Sequence, residues 1–319
     1  MFVGTVLISI DAELGWGFND FENVPTERIE AARPGWRRLL ELLEQFEIPA
    51  TWAVVGHLCL KQCSGVHPSH PAKDEWFARE RHEWVLRPDF RFGHGLVEAI
   101  SESGVNHEIG SHSFSHVVFD ERDTSRELAR AELKASLEAA GDLGIRPESF
   151  VFPRNVVGYR DLLAEYGFRC YRGKAPTRRR SAVSQSLLRL LRGTRFDPDR
   201  LLVEPKIDEY GLVDVPASMY LYSFEPPVRD ICEPLIGDLT VTQSRRGIDR
   251  ASDRNGLFHV WLHPNNLHRE YAIERLRSVL SYLADRRDDG DVTVATMGQV
   301  AKRVRDGDQP AGRSSHRLA

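Results

Sequence analysis

Two histidines four residues apart, His112 and His116 in the segment HSFSH, are the sharpest chemical feature of the sequence. Residues four apart face the same side of a helical turn, so both imidazoles could reach one metal ion. The pair follows the short run HEIG, which predicts that it opens a helix directly after a β-strand. The alternative interpretation is two unrelated polar histidines at a helix start.

Two carboxylates, Asp11 and Glu13, follow the apolar run VLISI in the same way. Alternate residues of a strand face the same side, so both could point into one site while Ala12 points away. Two histidines and one carboxylate leave a coordination position open for water, as in catalytic zinc sites. We expect the longer Glu13 to bind the metal and Asp11 to accept the proton of the water. The reverse assignment, or a simple helix cap or loop charge, are the alternatives.

His263 and Arg154 follow two further apolar runs, in the segments WLHPN and FPRN. The usual pKa of histidine is close to working pH, so His263 could protonate a departing amine. A guanidinium such as that of Arg154 could orient a carboxylate or bind substrate. The simpler alternatives are a structural histidine and an ordinary surface salt bridge.

Short apolar runs alternate with helical patterns along the chain, which predicts a mostly parallel α/β sheet. Helices are expected at 26–45, 125–143, 159–166 and 271–285, where apolar residues recur at spacings of three and four. In an α/β barrel the loops after the strands converge on one mouth, where catalytic residues gather. The candidate residues stand at such strand ends. The runs are VLISI, PATWAVVG, HEIGSH, SFVFP, LVDVPASM, LFHVWLHP and VTVATM.

Three segments depart from this pattern, and we expect one barrel domain over residues 1–304. Residues 61–94 resemble a long rim loop over the mouth. Residues 174–200 form an arginine-rich insertion with a short amphipathic stretch, which could make a peripheral contact with an anionic membrane. An ordinary solvated surface helix is the simpler interpretation of that stretch. Residues 305–319 are expected to be a disordered tail.

Composition is that of a soluble globular enzyme, with 41% hydrophobic and 28% charged residues and a net charge of −4. The absence of a basic field argues against nucleic acid as a partner. Among four cysteines, Cys59 and Cys63 lack a second close pair that would complete a zinc knuckle, so we expect reduced and mostly buried thiols. The start MFVGTVLISI reads as a first strand and not as a signal peptide, and no apolar stretch suffices for a transmembrane segment. We therefore expect a cytoplasmic protein.

Five segments in this order resemble the motifs of the polysaccharide deacetylase family, also called the NodB-homology or carbohydrate esterase family 4 group. They are ISIDAE, HSFSH, FPRNVVG, VDVPAS and LHPNN, and the resemblance runs from about residue 5 to residue 300. The first motif has Asp-Ala-Glu in place of paired aspartates, which resembles a divergent branch. The fourth motif lacks its tryptophan.

The resemblance implies a distorted (β/α) barrel of about seven strands with one divalent metal, Zn²⁺ being expected and Co²⁺, Ni²⁺ or Mn²⁺ the alternatives. It also implies a role for each matching residue. Glu13, His112 and His116 would bind the metal, Asp11 would be the base, His263 the acid, Arg154 the support of the base and Asp214 the residue that orients His263.

The activity implied is removal of an N-acyl group, with acetyl expected, from a sugar such as a cytoplasmic glycan precursor. Two alternatives stay open. One is a deformylase or amidohydrolase that acts on a non-sugar C–N bond. The other is an inactive barrel that only binds carbohydrate.

Overall fold

A computed structural model describes residues 3–72, 75–174, 201–223 and 238–307 of the 319-residue chain. The strands among these residues form a single sheet. They are β1 (Thr5–Ala12), β2 (Thr51–Val54), β3 (Glu108–Ser111), β4 (Ser149–Val151), β5 (Cys170–Arg172), β6 (Leu202–Val203), β7 (Lys206–Ile207), β8 (Val213–Asp214), β9 (Met219–Tyr220), β10 (Leu257–Leu262) and β11 (Thr293–Ala295).

The sheet is curled and mostly parallel, as a distorted barrel requires, which confirms the predicted fold class. Nine strands follow one another in the order β6-β10-β1-β2-β3-β4-β5-β8-β7, with β11 against β1 and β9 against β10. Among the described strands, the antiparallel pairs are β6 with β10 and β7 with β8. The prediction of about seven strands was too low, because two-residue strands such as β6 and β7 are too short to show an alternating pattern.

Long helices cover the sheet where apolar periodicity predicted them. The predicted helix 26–45 is observed with the same bounds, and the other three differ by one to three residues at an end. The helices of the described residues are α1 (Thr26–Gln45), α2 (Ala78–Arg81), α3 (Pro88–Arg91), α4 (His94–Ser101), α5 (Arg126–Gly141), α6 (Arg160–Glu165), α7 (Leu239–Arg254), α8 (Glu270–Asp288) and α9 (Met297–Arg305).

The central strand β1 is buried along its whole length and is paired along both edges. Its residues Thr5–Ile10 pair with β10 on one edge, whereas its first and last parts pair with β11 and β2 on the other. Such a strand needs apolar side chains on both faces, which explains its near-continuous apolar run. Any polar group at its end is therefore held by a rigid element.

Helix α1 approaches the turn after β10 closely, and Gly35 permits this. A Cβ atom at position 35 would lie 2.1 Å from the carbonyl oxygen of Pro264. On the same helix Trp36 stacks on Trp52 of β2, with ring centroids 5.3 Å apart. The backbone next to His263 is therefore fixed by helix packing.

The segment HSFSH is not helical, which corrects the predicted helix start at His112. Ser113 and His116 have φ angles of 61° and 65°, in the left-handed region, so residues 112–116 form a tight irregular loop. The loop still turns both imidazoles to the same side, with ring centroids 4.9 Å apart. The spacing of the two histidines thus correctly predicted that their rings lie close together, although the local structure is a loop and not the expected helix.

Glu132 of α5 holds this loop in place. Its buried carboxylate accepts hydrogen bonds from the backbone N–H groups of Phe114 and Ser115 at 2.9 and 2.8 Å, and from the Ser115 hydroxyl at 2.5 Å. His70 Nε2 lies 3.2 Å from the same carboxylate. Burial alone would raise the pKa of Glu132, but the bonds from His70 and Ser115 lower it below its usual 4.5. The loop 112–116 therefore depends on one buried charge.

Parts of two predicted segments fall outside the described residues. Of the arginine-rich insertion only Lys174 is described, and of the tail only residues 305–307. Within the described ranges, every helix is too short or too polar to span a bilayer. The membrane contact and the disordered tail stay predictions.

We predict that Glu132→Gln lowers the free energy of unfolding by about 1–3 kcal/mol, because an amide cannot replace a carboxylate that accepts several buried hydrogen bonds. Urea unfolding monitored by circular dichroism measures this. The matched control is Glu138→Gln on the same helix, where the side chain is 67% exposed. Equal unfolding free energies for the two variants would contradict the anchoring role.

The pH dependence of this difference has a defined sign. The pKa of Glu132 in the folded chain is lower than in the unfolded chain, so its stabilisation is fully present above about pH 4.5 and is lost as the pH falls. We therefore expect the stability gap between wild type and Glu132→Gln to narrow on acidification.

Candidate active site

The candidate residues gather at the carboxyl ends of three strands of the sheet. Asp11 is the penultimate residue of β1, and Glu13 directly follows that strand. His112 follows β3, and His263 follows β10. Because β1 pairs directly with β10 and is joined to β3 through β2, these ends meet at one edge of the sheet. The structure thus brings the predicted carboxylates and histidines to one place.

Glu13, His112 and His116 form a buried cluster with the composition of a metal site. The Nε2 atoms of His116 and His112 lie 3.2 and 3.6 Å from the same carboxylate oxygen, Glu13 Oε2. All three ligand atoms lie within 4.8 Å of one another, and each side chain is at most 6% exposed. Two nitrogens and one oxygen are the donor set of catalytic zinc sites.

The protonation of the histidines suits a metal. His112 Nδ1 lies 2.7 Å from the carbonyl oxygen of Val151, to which it donates, so the lone pair of Nε2 faces Glu13. Burial lowers the pKa of His116, against the opposing effect of Glu13, and favours its neutral form. Although burial would raise the pKa of Glu13, His263 and the two other imidazoles hold it well below 4.5. The residues present therefore fit a divalent cation.

Asp11 is held in a different way, by Arg172 at the end of β5. Arg172 donates to both carboxylate oxygens, at 2.6 and 2.7 Å, and both side chains are buried. It also donates to Asn155 Oδ1 at 2.9 Å and lies over the Trp261 ring, 4.5 Å from its centroid. Burial opposes ionisation of Asp11, yet Arg172 keeps its pKa below 3.8. Asp11 is thus an ionised carboxylate beside the cluster and is not part of it.

Arg172 takes the place that we expected for Arg154. The guanidinium of Arg154 instead pairs with Asp20 and donates to the Gly17 carbonyl at 2.8 Å, with its side chain 33% exposed. The structure therefore corrects the expected pairing, and Arg154 makes the partly exposed salt bridge named above as the alternative. The third motif contributes Asn155 to the support of Asp11, through Arg172.

Arg172 was missed because its strand was missed. Strand β5 has only three residues, too few to show an alternating pattern. Two signals were available: the segment GFRCYRG is bounded by glycines, and its buried Phe168 and Cys170 alternate with the more polar Arg169. A polar residue at the end of such a segment would have been a candidate by the strand-end rule.

His263 lies beside both carboxylates, with Nε2 3.5 Å from Glu13 Oε1 and 3.9 Å from Asp11 Oδ2. Its backbone N–H donates to Asn266 Oδ1 at 2.8 Å, and Asn266 in turn donates to the Tyr220 hydroxyl at 2.6 Å. The Tyr220 ring packs against His263, with centroids 5.7 Å apart. His263 is therefore positioned by its own turn and by β9.

Asp214 does not orient His263, contrary to the expectation from the fourth motif. Its carboxylate lies over Gly173, where a Cβ atom would stand 1.7 Å from Oδ1. Burial and the neighbouring Asp208 raise the pKa of Asp214 to about 6. Among the described residues, no hydrogen bond or ion pair joins Asp214 to His263. The fourth motif contributes a backbone group instead, since the carbonyl oxygen of Pro216 lies 2.9 Å from His259 Nδ1.

His259 is a further site residue that sequence reasoning missed. It lies on β10, fully buried, and its Nε2 is 2.8 Å from Ser9 Oγ, which also accepts from Arg172 at 3.2 Å. Burial lowers the pKa of His259 to about 3, so the ring is neutral. Through Ser9, His259 supports the ion pair between Arg172 and Asp11. Its even spacing from Trp261 on the same strand, and from His263 directly after that strand, was a usable signal.

Residues 20–168 match a family model described as polysaccharide deacetylase. The predicted resemblance to the polysaccharide deacetylase family is confirmed. The matched stretch contains His112, His116 and Asn155, whereas the first, fourth and fifth motifs lie outside it. No curated protein sequence matches the chain.

Solved structures of the polysaccharide deacetylase type share the fold along almost the whole chain. A Mycobacterium smegmatis protein, provisionally described as a polysaccharide deacetylase, is 19% identical with a TM-score of 0.62, over 100% of this chain and 96% of that one. A Pseudomonas aeruginosa PAO1 protein with a similar provisional description is 14% identical with a TM-score of 0.58, over 96% and 93%. PuuE allantoinase is 13% identical with a TM-score of 0.58, over 99% and 93%. At these identities the likeness establishes the fold.

The segment 61–94, which contains α2 and α3, borders the edge of the sheet where the candidate residues meet. The Trp76 indole donates to Ser115 Oγ at 2.9 Å and so contacts the loop 112–116. A cavity of about 510 Å³ lies between this segment and the loop after His116. Its lining includes Asn19, Asp20, Trp76 and Thr124. Its lining does not include Glu13, His112 or His116.

Three side chains of the same segment, together with His57, form a second group that could hold a metal ion. His57, Cys63, His67 and Glu80 offer ligand atoms that all lie within 4.8 Å of one another. Burial would raise the pKa of Cys63, but hydrogen bonds to His57 and His67 lower it to about 6. Cys59 and Cys170 are buried and their pKa values are raised, as expected of inert thiols. Two of these three cysteines are buried, in line with the expectation of mostly buried thiols, and Cys63 is partly exposed.

We predict that Glu13→Gln and Asp11→Asn differ in metal binding. Only Glu13 faces both imidazoles, so its substitution should weaken metal affinity by more than the roughly 10–100-fold that loss of a supporting partner costs. Asp11→Asn should retain the metal, since Arg172 occupies both oxygens of Asp11. Elemental analysis of the two variants loaded side by side measures this, and metal bound elsewhere cancels in the comparison. Loss of metal from Asp11→Asn alone would reverse the assignment.

Proposed function

We propose that this protein is a divalent-metal-dependent hydrolase that removes an N-acetyl group from a sugar. The observation that carries the proposal is the convergence of three metal-ligating side chains, an ionised carboxylate and a histidine at one end of the barrel. Each has a distinct chemical role in amide hydrolysis. The match to the polysaccharide deacetylase family supports the sugar as substrate class.

Glu13, His112 and His116 would hold the metal. When bound there, a divalent metal supplies a nucleophile at neutral pH by lowering the pKa of water to about 7, and it polarises the acyl carbonyl. The carbonyl of Val151 orients His112, and Glu132 fixes the loop that carries His116. The protein thus presents the ligands already arranged, without a folding step at the time of reaction.

Asp11 accepts the proton of the attacking water. Arg172 keeps it ionised and holds it in one orientation through two hydrogen bonds. Oδ2 is the Asp11 oxygen that points toward His263, at 3.9 Å, so the proton arrives on the side of the site where it is later needed. Because Arg172 is itself held by Asn155 and Ser9, the base cannot swing away.

His263 donates a proton to the departing amine. Attack by water oxygen on the acyl carbon forms the new C–O bond, and the C–N bond then breaks to release acetate and the amine, which takes its proton from His263 Nε2. The side chain of His263 is 20% exposed, more open than that of Asp11 at 4%. It therefore lies on the substrate side of the carboxylates, where a leaving group can reach it.

A non-sugar C–N bond is the second candidate target. The same base and acid would serve a ureide or a formamide, and PuuE allantoinase shares the fold over nearly the full length of both chains. The two functions differ in their products, because only an N-acetyl sugar releases acetate together with an amino sugar.

The test is mass spectrometry of acetylated sugar precursors incubated with metal-loaded protein. We expect a mass loss corresponding to one acetyl group, together with free acetate, and no reaction after chelation of the metal. Allantoin and a formylated amino sugar are assayed in parallel. Turnover of either of these without acetate release from any acetylated sugar would replace the proposed function with the second candidate.

We predict that His263→Ala slows amide hydrolysis by about 10²- to 10⁴-fold, the usual contribution of a positioned general acid. Metal content should not change, because His263 is outside the ligand cluster. An activated aryl acetate has a leaving group that needs no proton, so its hydrolysis should fall much less. The matched control is His268→Ala, which removes an exposed histidine five residues along the chain. Equal losses on amide and activated ester would rule out the acid role.

A further inference from the structure

A second cluster of metal-ligating residues joins the rim segment 61–94 to the barrel. His57 lies in the short 3-10 turn Gly56–Cys59, directly after β2. Its partners Cys63, His67 and Glu80 all come from the rim segment. His57 and Glu80 are completely buried, and the His67 side chain is 13% exposed. None of the four takes part in the proposed hydrolysis.

A cation, either a proton or a metal ion, must lie between His57 and Glu80. The Nδ1 atom of His57 lies 3.3 Å from the carbonyl oxygen of Arg91, and because a carbonyl only accepts, Nδ1 carries a proton. Its Nε2, which carries a lone pair in the neutral ring, lies 2.9 Å from the carboxylate oxygen Glu80 Oε1 and has no hydrogen bond of good geometry. Two buried lone pairs repel each other at this distance unless a proton or a metal ion lies with them.

Cys63 and His67 bring two more donors to the same point. His67 Nε2 lies 3.0 Å from Glu80 Oε2 and 3.5 Å from Cys63 Sγ. The backbone N–H of Gly65 donates to Cys63 Sγ at 3.3 Å, a contact that stabilises a thiolate. A proton can bridge only one pair of these atoms, whereas a metal ion binds all four at once.

Arg91 orients the carboxylate from outside the cluster. It donates to Glu80 Oε1 at 3.0 Å and to the carbonyl oxygen of Cys63 at 2.6 Å. Oε2 therefore remains directed at His67 and the thiol. Outer groups of this kind fix the ligands of metal sites, and here the same residue also holds the backbone of one ligand.

We propose that His57, Cys63, His67 and Glu80 bind a structural Zn²⁺ ion. Sulfur, imidazole and carboxylate ligands are those that zinc prefers in proteins. Ligands at zinc bond lengths of about 2.0 to 2.3 Å stand about 3.3 to 3.8 Å apart in a tetrahedron. His67 Nε2 lies 3.0 Å from Glu80 Oε2 and 3.5 Å from Cys63 Sγ, which is close to these values, so small adjustments suffice. Four protein ligands leave no position for substrate, so the ion is structural.

This zinc ion would fix the rim segment beside the catalytic mouth. The Trp16 ring packs on His57, with centroids 4.3 Å apart, and its indole donates to the same Arg91 carbonyl at 3.1 Å. Trp16 belongs to the 3-10 turn Leu14–Phe18 that directly follows Glu13. The second ion is therefore linked through one buried ring to the backbone next to the first.

Zinc content of four variants tests the proposal independently of activity. We expect two zinc ions per chain in the wild type, one in Cys63→Ala, one in Glu13→Gln and none in the double variant. Cys59→Ala is the matched control and should keep both ions. His67→Ala, at a partly exposed position, gives a second way to remove a ligand and should also keep one ion. Circular dichroism confirms folding of each variant.

Cobalt substitution identifies the ligand directly. Co²⁺ bound by a thiolate has an intense charge-transfer absorption in the near ultraviolet, which a site of nitrogen and oxygen ligands lacks. We expect this band in the wild type, Cys59→Ala and Glu13→Gln, and its loss in Cys63→Ala. A wild type with no band, or with one zinc ion that Glu13→Gln removes, would show a hydrogen-bonded network in place of the second ion. That outcome overturns this proposal and leaves the proposed hydrolase intact.

Discussion

Two ionised carboxylates are buried side by side at the end of the central strand, and the rest of the site must stabilise their charges. Asp11 and Glu13 are only 3% and 5% exposed, and removing an unpaired carboxylate from water costs several kcal/mol. Each is compensated differently. Arg172 neutralises Asp11 through two hydrogen bonds, whereas Glu13 faces the imidazoles of His112 and His116, whose nitrogens can bind a metal ion together with it. This difference is why one carboxylate suits a base and the other a ligand.

The histidines near Glu13 come from loops, and buried polar contacts make those loops rigid. Glu132 accepts hydrogen bonds from backbone N–H groups between His112 and His116, and Asn266 accepts one from the backbone of His263. Gly35 lets a long helix press against the turn that contains Asn266. Left-handed backbone at Ser113 and His116 would be costly without such support. Preorganisation of the site therefore depends on residues that touch no substrate.

The rim segment 61–94 shows the same principle outside the barrel. Its described residues include two one-turn helices, and they contribute Trp76 to a contact with the loop 112–116 and three polar side chains to a buried cluster with His57, next to Trp16. The segment also buries Phe77, Trp84 and Phe90, so apolar packing and polar contacts together fix its position.

The sequence by itself predicted the parallel α/β sheet, four of the helices and the strand-end residues Asp11, Glu13, His112, His116 and His263, because apolar periodicity and motif spacing are local properties. It could not predict that Arg172 and not Arg154 holds Asp11, nor that Asp214 lies apart from His263. Those pairings depend on which loop faces which across the sheet, and on a three-residue strand too short for any periodicity. The number and spacing of cysteines likewise did not reveal the cluster around Cys63, because its partners are histidines and a glutamate up to 17 positions away along the chain. Side chains distant in sequence meet only when the chain folds, since the energy that selects their pairing, relief of buried charge, exists only in the packed interior.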